Sequence, residues 1–188
     1  RDPPISGSLP PAASDAKQAL RVRRFLMASA SYVAGVALMG LAYAFGFVAL
    51  RPALAIAGVA LAVNAGLYLL FRTRLNLRFK DPSLTWLQVV LATSTVMASV
   101  FVLDQGHAAA LILCPVIMMY GVFRFSTREF MVASAFVLTS YLVVVTLLVF
   151  AKPATVYLPL EIFRFAVLAC VLPCFALAGS KVSAMRAS

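Results

Sequence analysis

Two ionisable residues stand inside an otherwise apolar stretch near the C-terminal end of the chain. Glu161 and Arg164 are three positions apart, which places them on one face of a helix at a distance suited to an ion pair. Ionisable groups inside a membrane-spanning helix are costly and often mark a functional site. Two interpretations stay open: an internal pair that fixes helix packing, or a site in which Arg164 binds a small anionic ligand or a lipid head group.

Other polar residues are expected on the same side of the membrane as Arg164. Asp104 and His107 lie in the turn between the third and fourth apolar stretches, and Tyr157 precedes the sixth. His107 is the only histidine, and we expect it to be an exposed loop residue at a helix start. The candidate ligand-binding set is therefore Arg164, Glu161, His107, Asp104 and Tyr157.

The remaining reactive side chains do not form a recognisable catalytic pattern. Cys114, Cys170 and Cys174 all fall inside apolar stretches, so buried structural thiols are expected rather than a disulfide framework. The sequence has no glycine-rich phosphate loop, no HExxH segment and no plausible Ser/His/Asp set. Neither a catalytic residue nor a metal ligand is predicted, and no cofactor is expected within this chain.

Six long apolar stretches must position these residues. The chain of 188 residues is 63% hydrophobic and only 12% charged, about half the charged share of a soluble domain. About 20 apolar residues suffice to cross the hydrocarbon core as a helix, and short loops make successive helices antiparallel. The sequence therefore predicts an all-α membrane protein, a six-transmembrane-helix bundle. Its spans are expected at about 25–50, 53–71, 86–103, 108–123, 130–151 and 160–180, and Arg51-Pro52 is expected to stop the first of them.

The cations are distributed unequally between the two sides of this bundle. Thirteen of the 16 Lys and Arg residues lie in the N-terminal segment, in the second and fourth loops, or after the sixth span. This positive-inside pattern predicts a multi-pass membrane protein with both termini cytoplasmic. It also accounts for the net charge of +10 without a nucleic-acid partner, and makes the lipid bilayer the expected partner.

Two stripes of small residues recur at intervals of four on the second and sixth spans. Such stripes let helix backbones approach closely. They fit either packing within one bundle or, for the sixth span, contact with a second protomer. Pro115 and Pro173 lie inside spans and are expected to bend them. The stripes are Gly58, Ala62 and Gly66, and then Ala166, Cys170, Cys174 and Ala178.

Three segments resemble a known class of membrane region. The combination of RLNLRFKDPSLTWLQ after the second span, GVFRFSTREF after the fourth, and LEIFRF through LAGSKVSAMRAS at the sixth resembles the N-terminal sensory region of bacterial GGDEF-type diguanylate cyclases. In that family a six-helix membrane region precedes a cytoplasmic domain that makes cyclic di-GMP from GTP. The resemblance implies a homodimer in the bacterial inner membrane, with GTP and Mg²⁺ bound by a catalytic domain beyond Ser188.

The expected domain organisation follows from the spans and the resemblance. Residues 1–20 are predicted to be a disordered cytoplasmic tail, 21–180 a six-helix sensory and dimerisation domain, and 181–188 the start of a connector helix. The leading hypothesis is the signal-input module of a diguanylate cyclase. The alternatives are an input module of a histidine kinase or another cyclase, and a small stand-alone transporter or membrane enzyme.

Overall fold

The computed structural model describes residues 11–79, 81–104, 106–121 and 125–187, and these residues form helices and no strand. Two short 3₁₀ turns, Leu75–Arg78 and Pro153–Thr155, lie in the loops. The helices are α1 (Pro11–Ala44), α2 (Leu50–Arg72), α3 (Thr85–Val102), α4 (His107–Leu111), α5 (Leu113–Gly121), α6 (Thr127–Ala151) and α7 (Leu158–Ala187).

Four of these helices have the length and composition to cross a membrane. They are α2, α3, α6 and the Leu158–Phe175 part of α7. Two shorter apolar segments, Ser29–Ala44 in α1 and His107–Met119 in α4 and α5, complete the apolar helices of the described residues. Within the described residues each predicted apolar stretch thus contains a helix, and four of them meet the length that a hydrocarbon core requires.

The start of α1 differs from the predicted disordered tail. The helix begins at Pro11, so residues 11–20 are helical, whereas residues 1–10 lie outside the described part of the chain. Proline is favourable at the first helical position, and the following Ala, Lys, Gln, Leu and Arg residues are strong helix formers. The prediction of disorder across 1–20 was therefore wrong for its second half.

The first turn also falls earlier than expected. α1 ends at Ala44, and Gly46 takes a φ of 76°, which a glycine adopts without strain. The Phe47 amide donates to the Ala42 carbonyl over 2.9 Å and closes the turn. Pro52, expected to stop the first span, instead lies in the first turn of α2, where its missing N–H leaves no intrahelical bond unmade.

The fourth apolar stretch is divided into two helices. α4 ends at Leu111 and α5 begins at Leu113. Pro115 lacks the N–H that would bond to the Leu111 carbonyl, and its ring crowds that carbonyl, so the interruption falls where proline chemistry requires it. Pro173 has a milder effect, since α7 continues through it without a break.

The main core lies among α3, α5, α6 and α7. Residues at helical spacing face one another there, including Val89, Val96 and Val100 on α3 and Leu168 and Leu172 on α7. On α6 the buried face is Phe130, Ala133, Val137, Tyr141, Val144 and Leu148.

The helices α1 and α2 form a separate pair beside that core. α1 packs on α2, and α2 packs on α3. The Ser29 hydroxyl donates to the Asn64 amide oxygen over 2.8 Å and links α1 to α2 within the apolar interface. Phe25 and Phe71 add a ring contact with centroids 5.2 Å apart.

Local hydrogen bonds fix where α3 and α6 begin. The Asp81 carboxylate accepts from the Ser83 amide over 3.0 Å and from the Thr85 amide over 2.7 Å. At α6, Ser126 and Glu129 form a reciprocal capping box, the arrangement that satisfies the free amides of a first helical turn. The polar loops before α3 and α6 therefore fix the residue at which each of these helices begins.

Candidate functional site

A buried polar cluster joins three helices at the end of the bundle where α7 begins. It consists of His107 on α4, Tyr141 on α6, and Glu161 and Arg164 on α7. Only 3% of Glu161 and none of Tyr141 is exposed. The α6–α7 connection turns Glu161 inward, because the Tyr157 carbonyl accepts the amides of Leu160 and Glu161 and starts α7 there.

Both carboxylate oxygens of Glu161 have donors. Tyr141 donates its hydroxyl to Oε2, and Arg164 donates from Nη1 to Oε1. The His107 Nε2 atom lies 3.0 Å from the same Oε1. A buried carboxylate is tolerated when it is paired with a cation and its oxygens are hydrogen-bonded, and Glu161 meets both conditions.

His107 has two mutually exclusive bonding arrangements in this cluster. Its Nε2 atom lies 2.6 Å from Arg164 Nη1 and 3.0 Å from Glu161 Oε1. With the proton on Nδ1, Nε2 accepts from Arg164; with a proton on Nε2, it donates to Glu161 and faces Arg164 donor to donor. One ring nitrogen cannot do both, so the position of the His107 proton decides which of the two bonds forms.

The Glu161–Arg164 ion pair, which was the first of the two interpretations drawn from the sequence, is present. Arg164 uses Nη1 for both Glu161 and His107, and 20% of its side chain is exposed. An anion at Nη1 would have to displace one of these partners. The Nη2 and Nε donors of Arg164 make no hydrogen bond with the described residues, so a ligand bound by them would not displace Glu161 or His107.

Asp104 and Tyr157 belong to the same end of the bundle but not to the cluster. Asp104 accepts a hydrogen bond from Lys152 over 2.6 Å, in an exposed ion pair between the α3–α4 and α6–α7 loops. Tyr157 is 68% exposed. Of the five predicted ligand-binding residues, the structure thus brings together His107, Glu161 and Arg164.

Two features of the cluster were not predicted correctly. His107 was expected to be exposed, but only 9% of it is, because its ring turns inward to Glu161 and Arg164. Tyr141 was absent from the predicted set of site residues. Helical spacing could have indicated it, because Tyr141 lies seven residues after Ser134 and seven before Leu148. All three share the face that α6 buries.

The small-residue stripes face outward in the described chain. A Cβ added at Gly58 or Gly66 would meet nothing within 4 Å, and Ala62 is exposed. α2 instead buries Ala53, Ala60, Leu67 and Phe71. The reading of the second-span stripe as packing within the bundle is therefore wrong for these residues.

The stripe on α7 is likewise exposed at Ala166, Cys170 and Cys174, while the side chain of Ala178 lies outside the described residues. Cys114 is buried as expected. Cys170 and Cys174 were expected to be buried and are not, because α7 buries the opposite face with Leu168 and Leu172. Among the described residues no group of three His, Cys, Asp or Glu side chains is arranged to hold a metal ion.

No protein family, curated protein or solved structure matches the chain. The resemblance to the membrane regions of diguanylate cyclases therefore stays a prediction, and the geometry of the cluster and of α7 is the basis on which function has to be argued.

Proposed function

We propose that this chain is the membrane-embedded signal-input and dimerisation module of a diguanylate cyclase. The single observation that carries the proposal is the polar cluster, because it ties α4 and α6 to the first turn of α7. A stimulus that acts at this end of the bundle changes the hydrogen bonds of the cluster, which hold α7. The direct output of the module is then the position of that helix.

The length of α7 supports its role as the output element. The helix has 30 residues, about 45 Å at 1.5 Å per residue, against a hydrocarbon core of about 30 Å. Its apolar stretch gives way to Ser180 and Lys181, and the helix continues to Ala187. A rigid helix that is held at one membrane surface and extends past the other transmits a shift or rotation between them.

The two hydrogen-bonding states of His107 supply the switch. A stimulus shifts such an equilibrium only when it interacts differently with the two states. In one state Arg164 is held by both Glu161 and His107, and in the other His107 binds Glu161 and Arg164 loses an acceptor. Arg164 is therefore held differently, and α7 with it.

The exposed stripe on α7 supports a homodimer. Ala166 and Cys170 present small side chains to the outside, and Cys174 continues the same face. In a bilayer such a face associates by close packing with a second helix. Two α7 helices side by side would bring together the catalytic domains that the resemblance implies, where GTP and Mg²⁺ would bind.

The membrane arrangement that goes with this function is a six-pass bundle in the bacterial inner membrane with both termini cytoplasmic. The cation-rich loop 72–85 supports this orientation, and the polar cluster then lies at the periplasmic side. The two shorter apolar segments in α1 and in α4 and α5 supply the spans beyond the four long ones.

Cyclic di-GMP measured in cells tests the proposal. The protein is expressed from its own gene as wild type, Glu161→Gln and Arg164→Gln, with Lys152→Gln as the control for an exposed charge outside the cluster. Cluster variants should change cellular cyclic di-GMP several-fold at equal membrane abundance, while Lys152→Gln should not. Equal output from all four proteins, or loss of output from the control, would overturn the proposal.

A small transporter is the second candidate, and the interruption between α4 and α5 favours it. Broken helices beside buried ionisable groups occur at transporter binding sites. The same variants separate the two functions. For a transporter the cluster variants would abolish net movement of a solute across vesicle membranes and leave cyclic di-GMP unaffected. For an input module of a histidine kinase they would change phosphoryl transfer instead.

A further inference from the structure

A cavity of about 300 Å³ lies between the α1–α2 pair and the rest of the bundle. α1 lines one wall from Ser31 to Ala42, and α3 and α5 line the opposite wall. The eleven-residue separation along α1 gives the cavity a length of about 17 Å. Small residues create the space, since a Cβ added at Gly35 would meet nothing within 4 Å.

The lining selects an apolar occupant. No Asp, Glu, Lys, Arg or His is among the described residues that line the cavity. The hydroxyls of Thr95 and Ser99 donate to the carbonyls of Leu91 and Thr95 on their own helix, over 2.8 Å and 2.9 Å. A ligand with charged or strongly polar groups would therefore lose its hydration on entry without gaining comparable partners.

The dimensions exclude another helix as the occupant. Spread over about 17 Å, a volume of about 300 Å³ forms a channel narrower than a helix about 10–12 Å in diameter. A long, narrow, uncharged cavity between membrane-spanning helices has the shape of an extended hydrocarbon chain. We infer that the cavity is a binding site for one acyl chain of a membrane lipid.

Phe47 and Gly106 pack against each other at the end of the cavity near the α1–α2 and α3–α4 turns. Phe47 lies over Gly106, where an added Cβ would come within 3.3 Å of the Phe47 ring. The Phe47 carbonyl also accepts the Asp104 amide over 3.0 Å. This packing narrows that end, so we expect the chain to enter sideways from the bilayer, between the helices.

α4 connects this site to the polar cluster. Ala109 and Ala110 of α4 line the cavity, while His107, at the start of the same helix, contacts Glu161 and Arg164. An acyl chain that presses on α4 therefore biases the two hydrogen-bonding states of His107. This regulatory role rests on the proposed function, whereas the lipid site does not.

Photolabelling with a lipid tests the site. The whole protein is reconstituted in vesicles of phosphatidylethanolamine and phosphatidylglycerol, with a trace of phosphatidylcholine that carries a diazirine at the middle of one chain. After illumination, labelled residues are located by peptide mass spectrometry. The cavity segments of α1 and α3 should be labelled several-fold more than the exposed face of α2 around Leu54 and Leu61.

Gly35→Phe should fill the cavity and lower this labelling several-fold. Gly40→Phe is the matched control, because Gly40 lies on the same helix, also has open space at its Cβ, and does not line the cavity. If Gly35→Phe fails to fold by circular dichroism, Ala57→Leu fills the site from α2, with exposed Ala55→Leu as its control. Labelling equal to that of the exposed face, or unchanged in the filled variants, would overturn the lipid site.

Cyclic di-GMP output in the same variants separates the two claims. A changed output in Gly35→Phe, with wild-type output in Gly40→Phe, supports the regulatory role. If labelling falls but output does not change, the regulatory role is overturned. If labelling does not respond, the lipid site is overturned, and the proposed function is still decided by the Glu161 and Arg164 variants.

Discussion

The Tyr141 hydroxyl on α6 donates a hydrogen bond to Glu161 on α7, and this bond joins two membrane-spanning helices through fully buried atoms. It leaves Glu161 with a donor on each oxygen. The pair thus links the stability of the α6–α7 contact to the bonding of a single carboxylate. Its removal is the most direct way to probe the cluster.

Tyr141→Phe should destabilise the protein because one buried carboxylate oxygen then lacks its donor. The expected loss is about 1–3 kcal/mol in the free energy of unfolding. Tyr157→Phe removes a hydroxyl from a residue that is 68% exposed and should change stability little. Unfolding by denaturant in detergent, followed by circular dichroism, measures both. Equal stability of the two variants would contradict the buried bond.

Single replacement of either member of the Glu161–Arg164 pair should cost more than replacement of both. Breaking a fully buried pair costs about 3–5 kcal/mol, because the remaining charge has no partner. The 20% exposure of Arg164 should reduce this cost. In a double-mutant cycle, Glu161→Gln with Arg164→Gln should therefore recover part of the loss.

The exposed Asp104–Lys152 pair provides the comparison for that cycle. Its side chains are 54% and 30% exposed, and exposed pairs contribute about 0–1 kcal/mol. Lys152→Gln should lower the free energy of unfolding by no more than this.

Additive effects of the Glu161 and Arg164 replacements in the double-mutant cycle would show that the two residues do not interact.

Two core hydroxyls should be dispensable. The Thr93 and Ser134 hydroxyls are buried on α3 and α6 and have no hydrogen-bond partner among the described residues. Thr93→Val and Ser134→Ala should leave stability unchanged or raise it, by up to about 1 kcal/mol, since a buried hydroxyl without a partner is unfavourable. Thermal unfolding in detergent measures the effect.

Ser126→Ala is the matched control for the two hydroxyls. It removes a hydroxyl that forms the capping box of α6 and should cost about 1 kcal/mol. A loss at Thr93 or Ser134 as large as the loss at Ser126 would show that the two core hydroxyls do have partners.

Oxidative cross-linking in native membranes should trap a dimer through α7. Cys170 and Cys174 are exposed on one face, whereas Cys114 is buried. Copper phenanthroline should yield a band of twice the monomer mass in the wild type and in Cys114→Ala. Loss of that band is expected in the Cys170→Ala, Cys174→Ala double variant. A band that persists without both cysteines would show that α7 is not the interface.

The positions of the helices were largely predictable from the sequence. Long apolar runs, such as 53–71 and 130–151, coincide with α2 and α6 to within a few residues, because hydrophobic length and loop polarity are local properties. The start of α1 was missed because an Ala-rich segment without an apolar period can still be helical. The prediction that Arg51-Pro52 stops the first span was wrong, because proline is accepted in a first helical turn as readily as it ends a span.

The site was predictable only in part, because its contacts are tertiary. Glu161 and Arg164 are near neighbours on one helix, so their pairing could be inferred. His107 and Tyr141 come from other helices, and their approach depends on rotations about each helix axis that no local pattern fixes. The same reason explains the stripes: spacing shows that Gly58 and Gly66 share a face, but not that this face points outward.

The arrangement of α1 and α2 beside the core has a consequence for how the protein is made. These two helices precede the core helices in the chain and bond to each other through Ser29 and Asn64, so they can enter the membrane as a hairpin before the core helices exist. The core helices then assemble against α2. The lipid cavity lies along the contact between the α1–α2 pair and the core helices, which forms last. It can therefore hold or release an acyl chain without opening either the pair or the core.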